Sequence, residues 1–158
     1  MAKVAELLAY LPSNNLSEPI YAEALAAAGG DAIASVVDAE SFFELSAEYG
    51  KCIKVGFARV GGAPVGVVAN DSTAYDGYFC EDGAKKAAKF VRICDAFSIP
   101  VVTLVDSKGI KTETEYAGAE VKAVAMLTSA YSEATTAKVT VVTGNAIAGE
   151  YIAFVDAD

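Results

Sequence analysis

"VRICDAFSIPVVTLVDSKGI", residues 91–110, decides the fold class. Its first seven residues end a helical period. Pro100 turns the chain, and Val101-Val102-Thr103-Leu104-Val105 then runs without a charge. A short apolar run between turn signals reads as a strand buried on both faces, the kind found in parallel sheets. Gly109 stands just beyond it. A glycine loop at the end of a buried strand is where α/β proteins commonly place a ligand.

Reading outward from this stretch gives the rest of the order. Upstream, Ala84, Ala87, Ala88, Val91, Cys94 and Phe97 mark the buried stripe of a helix over 83–97, with Asp82 as its cap. Before it, "SFFELS" and "CIKVGFARV" alternate as strands do. Gly61-Gly62 is a two-residue turn, and "APVGVVAN" is the return strand of a hairpin near 51–69. Residues 70–81 form a polar loop carrying Tyr75, Tyr78 and Phe79. Downstream, Thr112 and Glu115 suggest a capping box for a helix reaching about 134. "KVTVVT", 138–143, is a second buried strand, and "GNAIAGEYIAF" repeats the passage from strand through glycine loop to helix. Strands 101–105 and 138–143 should be parallel neighbours. At the N-terminus, "KVAELLAYL" puts Val4, Leu7, Leu8 and Leu11 on one helical face ended by Pro12, and a short helix over 31–37 is expected with Asp31 as its N-cap. The division is a helix and connector over 1–30 and one α/β domain over 31–158.

Composition narrows the function. The net charge of −9, from 12 basic and 21 acidic residues, argues against a nucleic-acid surface. Lys85, Lys86, Lys89 and Arg92 fall at helical spacing and read as a solvated face. No apolar run is long enough to span a membrane. The N-terminal stretch lacks a signal-peptide cleavage pattern, so a cytoplasmic protein is expected. Cys52, Cys80 and Cys94 make no paired motif and read as free thiols, Cys94 in the core and Cys80 near the surface. The chain has no histidine. That removes histidine triads and dyads, no metal site is expected, and chemistry is left to carboxylates, lysines, hydroxyls or backbone N–H groups.

The segments "LLAYLPSNN", "FFELSAEYGKCIKVGFARVGGAPVGVVAN", "GAKKAAKFVRICDAFSIPVVTLVDSKG", "EYAGAEVKA" and "YSEATTAKVTVVTGNAIAGEY" together resemble the carboxyl-terminal half of biotin-dependent acyl-CoA carboxyltransferases. These are the β subunits of propionyl-CoA and acetyl-CoA carboxylases and their decarboxylase relatives. The resemblance implies a crotonase-like spiral of ββα units, incomplete here at its C-terminus. It implies transfer of a carboxyl group between carboxybiotin on a biotin carboxyl carrier protein and a CoA thioester on a separate acyl-CoA-binding half. It also implies that glycine-loop amides polarise the reacting carbonyls.

By the same resemblance, the backbone amides of Gly149 and Glu150 are the catalytic donors. Asp106, Ser107, Lys108, Gly109, Ala148 and Tyr151 are the biotin-binding set. The two glycine loops should meet at one pocket. Asp106 itself reads as a brace of its loop rather than a base. The family's Asp-x-Pro-Gly-Phe stands here as Asp106-Ser107-Lys108-Gly109-Ile110, and its Arg-Lys-x-x-Gly-Gly-Ala-Tyr as Gly144 to Tyr151, with two cations absent and Glu150 added. These departures keep a second reading open, a non-catalytic assembly subunit of such a complex. A third is a stand-alone enzyme using Lys85, Lys86 and Lys89 for CoA phosphates. Apolar surface on strand 138–143 and the helix after it is expected to be buried in a homo-oligomer.

Overall fold

The computed structural model of the chain describes residues 2–110, 117–147 and 153–154. Within these, five strands form one mixed sheet. They are β1 (Phe43–Leu45), β2 (Ile53–Val60), β3 (Ala63–Asn70), β4 (Val101–Ser107) and β5 (Lys138–Ala146), and they lie in that order across the sheet. The helices are α1 (Ala2–Leu8), α2 (Glu81–Ala96) and α3 (Ala117–Glu133).

The hairpin is local and fully paired. β2 and β3 match from Ile53 opposite Asn70 to Val60 opposite Ala63. Gly61 and Gly62 close it at φ 59° and 80°, and a two-residue hairpin turn of this type needs positive φ at both positions. α2 then carries the chain to β4, parallel to β3, and α3 carries it to β5, parallel to β4. The expected neighbours 101–105 and 138–143 are therefore adjacent and parallel, Val101 opposite Lys138 and Val105 opposite Val142.

Both faces of the sheet are covered over β2 to β4. α2 and α3 lie on one face, where Phe57, Phe90, Val91, Val105, Leu127, Tyr131 and Phe154 make the main core. Within it, the Tyr131 hydroxyl is buried and shares a 2.7 Å hydrogen bond with Thr103 Oγ1. On the other face, Ile33 and Val37 cover Ala58, Val65, Val67, Ala69 and Leu104. The junction into β5 is held by Asp95, whose Oδ1 accepts the Thr135 and Thr136 N–H groups at 2.7 and 3.1 Å. Lys138 Nζ donates to the Tyr131 carbonyl in the last turn of α3 and to the Ala134 carbonyl just beyond it.

Five expectations change. The N-terminal helix stops at Leu8, because the Arg59 guanidinium takes the Ala9 carbonyl at 2.9 Å and Tyr10 turns inward to donate to the Ser41 carbonyl. Only Leu7 and Leu11 of its apolar face rest on the core; Val4 and Leu8 are exposed. Residues 31–37 form successive turns, not a helix. Asp31 does accept the Ala34 N–H as a cap, but Asp38 is drawn away to the hairpin turn, where its carboxylate takes the N–H groups of Gly61 and Gly62. α2 starts at Glu81 with Cys80 as its N-cap residue; Asp82 lies in its first turn and accepts the Tyr49 hydroxyl at 2.8 Å instead of capping.

Lys86 is not on a solvated face. It is buried, with Nζ donating to the Tyr49 and Ser46 carbonyls. Desolvation pushes its pKa down. Finally, Cys52 and Cys80 are joined in a disulfide, and both are buried. Cys94 is the free, buried thiol expected, its pKa pushed up to about 12 by burial. The capping pair Thr112 and Glu115 and the helix start after the second glycine loop lie outside the described residues.

β5 is the last strand of the sheet and leaves Val139, Val142 and the following Ile147 exposed, at 57%, 46% and 51%. The exposure expected for this strand is present.

Candidate functional site

β3, β4 and β5 run parallel, so the chain leaves all three at the same edge. Asn70 leads into Asp71-Ser72-Thr73, Ser107 into Lys108-Gly109, and Ala146 into the second glycine loop. In open parallel sheets this carboxyl edge is where ligands sit.

Asp106 ties two of these exits together. Its Oδ1 accepts the Asn145 backbone N–H at 2.8 Å and the Asn145 side-chain amide at 3.2 Å. Gly144 makes the approach possible, since a Cβ there would lie 2.3 Å from Asp106 Oδ1. The Asn145 N–H holds the Asp106 carboxyl below the usual carboxylate range; partial burial opposes this, and Ser72 adds to it. Asp106 is thus a brace, but it braces the end of the neighbouring strand β5 rather than its own loop.

A pH dependence follows with a definite sign. The folded pKa of Asp106 lies below its unfolded value, so its contribution is complete above about pH 4, the ordinary carboxylate value, and is lost as pH falls through the folded pKa. Asp106→Asn should flatten the acid limb of a stability–pH curve below about pH 4. An unchanged limb in urea titrations would remove Asp106 as the brace.

The first glycine loop is self-satisfied. Gly109 has φ 100°, a left-handed conformation suited to glycine, and its N–H donates to Ser107 Oγ at 3.2 Å. Ser107 is buried. Lys108 is exposed but latched: its N–H donates to the Gly77 carbonyl and its Nζ to the Asp76 carbonyl, each at 2.9 Å. The Gly109 carbonyl accepts the Phe79 N–H. These residues therefore form a shaped wall, with the Gly109 N–H held by Ser107. The loop does stand against the entry to the second one, since a Cβ on Gly109 would contact the Ile147 carbonyl at 3.8 Å. Ala148, Gly149, Glu150 and Tyr151 lie outside the described residues.

A cavity of about 300 Å³ opens beside Asp106, lined in part by Lys54, Asn70, Ser72, Thr73 and Thr143. Three carboxylates (Asp31, Asp71 and Asp106) face one lysine across it, and that lysine, Lys54, is paired with Asp71 at 3.1 Å. A ligand here meets hydroxyls, amides and excess negative charge. Among the described residues no group of three or more Cys, Asp or Glu side chains is placed to hold a metal ion.

Sequence reading missed Asn145, Ser72 and the 75–77 turn as partners of this site. Asn145 offered a signal, being an amide side chain between two small residues in a glycine loop. The 75–77 turn offered none, because Tyr75 and Asp76 adopt positive φ without being glycines.

The carboxyl transferase domain family matches residues 1–158. The biotin-dependent acetyl-/propionyl-coenzyme A carboxylase beta5 subunit of Mycobacterium tuberculosis is 38% identical over 177 residues, covering 94% of this chain and 32% of that protein. The mitochondrial propionyl-CoA carboxylase beta chain of Homo sapiens is 46% identical over 123 residues, covering 77% of this chain and 23% of its own. Transcarboxylase 12S, in a structure with methylmalonyl-coenzyme A and methylmalonic acid bound, superposes with a TM-score of 0.87 at 33% identity, covering 97% of this chain and 33% of that one. The mixed sheet with its two helices is the crotonase-like architecture expected from the sequence. The match spans between about a quarter and a third of the length of these proteins.

Proposed function

Because this chain belongs to the carboxyl transferase domain family, we propose that it is the biotin-side part of an acyl-CoA carboxyltransferase. It moves a carboxyl group between carboxybiotin, carried on a biotin carboxyl carrier protein, and a CoA thioester held by a separate acyl-CoA-binding half. The observation that carries this reading is the match along the whole chain, which includes both strand-to-glycine-loop exits at one sheet edge.

The chemistry asked of this chain is modest. A backbone N–H aimed at the ureido oxygen stabilises the charge that builds there as the carboxyl group departs. With the Gly109 amide committed to Ser107, that task falls to Gly149 and Glu150. Asp106 sets the second loop by holding Asn145. The excess of carboxylates in the cavity means that affinity for anionic carboxybiotin rests on amide donors and close fit, not on long-range attraction. The same excess favours the alternative, an assembly subunit that keeps the fold and has lost the transfer step.

A cytoplasmic location belongs to this reading; among the described residues no helix is long and apolar enough to cross a membrane. So does a homo-oligomer that buries Val139, Val142 and Ile147. Light scattering at micromolar concentration should give a mass well above the 16.3 kDa of one chain; a clean monomer contradicts the oligomer. The reading itself is tested by carboxyl transfer from carboxybiotin with the acyl-CoA-binding half supplied. Transfer supports it. Neither transfer nor biotin binding with any such partner leaves the assembly subunit.

The third reading loses its basis, because Lys86 is turned inward and Lys85 is paired with Glu81.

A further inference from the structure

The residue before β2, Cys52, holds both ends of one loop. Its carbonyl accepts the Asp71 N–H at 2.9 Å, and its sulfur is bonded to Cys80. The ten residues from Asp71 to Cys80 are thus closed on a single point. Their interior faces the candidate site. Ser72 lines the same cavity as the Asp106 carboxylate and favours its charged form, Gly77 and Asp76 hold Lys108, and Phe79 holds Gly109. Through Asp106 the loop also reaches Asn145 at the end of β5. One end of this clasp is a backbone hydrogen bond; the other is a covalent bond that thiols can break.

The bridge is closely accommodated. Gly83, in the first turn of α2, leaves the room it occupies: a Cβ there would lie 2.3 Å from Cys52 Sγ and 3.2 Å from Cys80 Sγ. Cys52 is 1% exposed and Cys80 6%. Cys80 also lines an open cleft of about 440 Å³ whose walls include Glu48, Lys51, Glu81, Asp82 and Glu120. Four carboxylates against one lysine give that approach a negative potential. Lys51 is itself paired with Glu48 at 2.9 Å.

We propose that Cys52–Cys80 is a thiol–disulfide exchange site whose oxidised form clasps the loop around Ser107–Gly109 and whose reduction releases it. The reductant is a neutral or cationic dithiol. Its first thiolate attacks Cys80 Sγ through the cleft and forms a mixed disulfide, while Cys52 leaves with the bonding electron pair and takes up a proton. The second thiol of the reductant attacks the mixed disulfide at its own sulfur and expels Cys80, which is also protonated. The protein gains two electrons and two protons, and the reductant becomes an intramolecular disulfide. The exchange chemistry stands independently of the proposed carboxyl transfer.

The test uses the full chain in its native fold. Purified protein is treated with dithiothreitol or left untreated, trapped with an alkylating agent and weighed intact; hydrogen exchange is followed on both forms. Untreated protein should take up no label at Cys52 or Cys80, and treated protein should take up two. The amides of Phe79 and Lys108 should then exchange about tenfold faster or more, while those of the β2–β3 hairpin keep their rates. Cys80→Ser should show the fast pattern without reductant. If that variant fails to fold, the comparison of reduced and oxidised wild type still decides. Glutathione, which is anionic, should act several-fold more slowly than dithiothreitol at low salt, and the gap should narrow in about 0.5 M salt. Three results overturn the proposal: thiols already free in the untreated protein, a bridge that yields only on unfolding, or reduction that leaves exchange at Phe79 and Lys108 unchanged. Equal rates for the two thiols at low salt overturn the assigned reductant class.

Discussion

Gly149→Pro is expected to lower carboxyl transfer from carboxybiotin by about two to three decades, the usual effect of losing one oxyanion donor, or about 3 kcal/mol. The expectation rests on the division of labour between the two glycine loops. The Gly109 N–H is already taken by Ser107, so the first loop has no donor to spare at that position. The proposed donors, by resemblance to the family, are the amides of Gly149 and Glu150, and proline has no N–H to offer. Glu150→Ala is the matching control. It keeps the backbone donor, removes a carboxylate and restores the family's residue type. A charge pair at about 4 Å near a protein surface is worth roughly 4 kcal/mol at an effective dielectric of 20, so removing a like charge should leave carboxybiotin binding unchanged or tighter. Both variants are assayed with the acyl-CoA-binding half present and checked by circular dichroism. A folded Gly149→Pro protein with wild-type turnover would rule out amide catalysis at this loop.

Phe57→Ala carries the largest expected loss of stability, about 3–5 kcal/mol. Phe57 lies in β2 and is 1% exposed. Its ring sits between Tyr10 and Phe90, with centroids 6.2 and 5.1 Å away. Truncation leaves a void where the hairpin, α2 and the N-terminal segment meet. In a chain of this length the melting temperature should fall on the order of 10 °C. The N-terminal segment should also loosen, because Tyr10 packs on Phe57 and the Arg59 guanidinium stacks over Tyr10. Urea unfolding gives the number directly; a loss under about 1 kcal/mol would mean the core relaxes around the gap.

Elements legible in the sequence were those whose signals are local. Gly61-Gly62 between two alternating runs fixed the hairpin, and the apolar stripe of 83–97 fixed α2 to within two residues at its start. The run 101–105 reads as a buried strand because no charge interrupts it. The errors arose where a distant partner outcompeted a local preference. Asp31 does cap a turn, but Asp38 is captured by the hairpin glycines and the turn does not propagate. Lys86 follows the helical spacing of its neighbours, yet the segment 46–49 folds over it. The Cys52–Cys80 bond spans 28 residues and needs the β2–α2 packing before the sulfurs meet. At the site, the position of Asp106 was legible and its target was not, since only the register of β5 beside β4 brings Asn145 within reach.

The parallel placement of β5 beside β4 also shapes how the chain is made. β2 and β3 are joined by two residues and can pair as soon as both have left the ribosome. β4 can then dock on β3 through α2, but its other edge stays bare until β5 arrives roughly forty residues later, about two to eight seconds at ordinary rates of synthesis. During that interval the nascent chain presents Val101-Val102-Thr103-Leu104-Val105 with unpaired backbone groups to other strands. Crowded polysomes and fast induction are therefore the conditions that most expose this protein to misassembly, and slower synthesis or a chaperone that masks strand edges is the remedy the topology calls for.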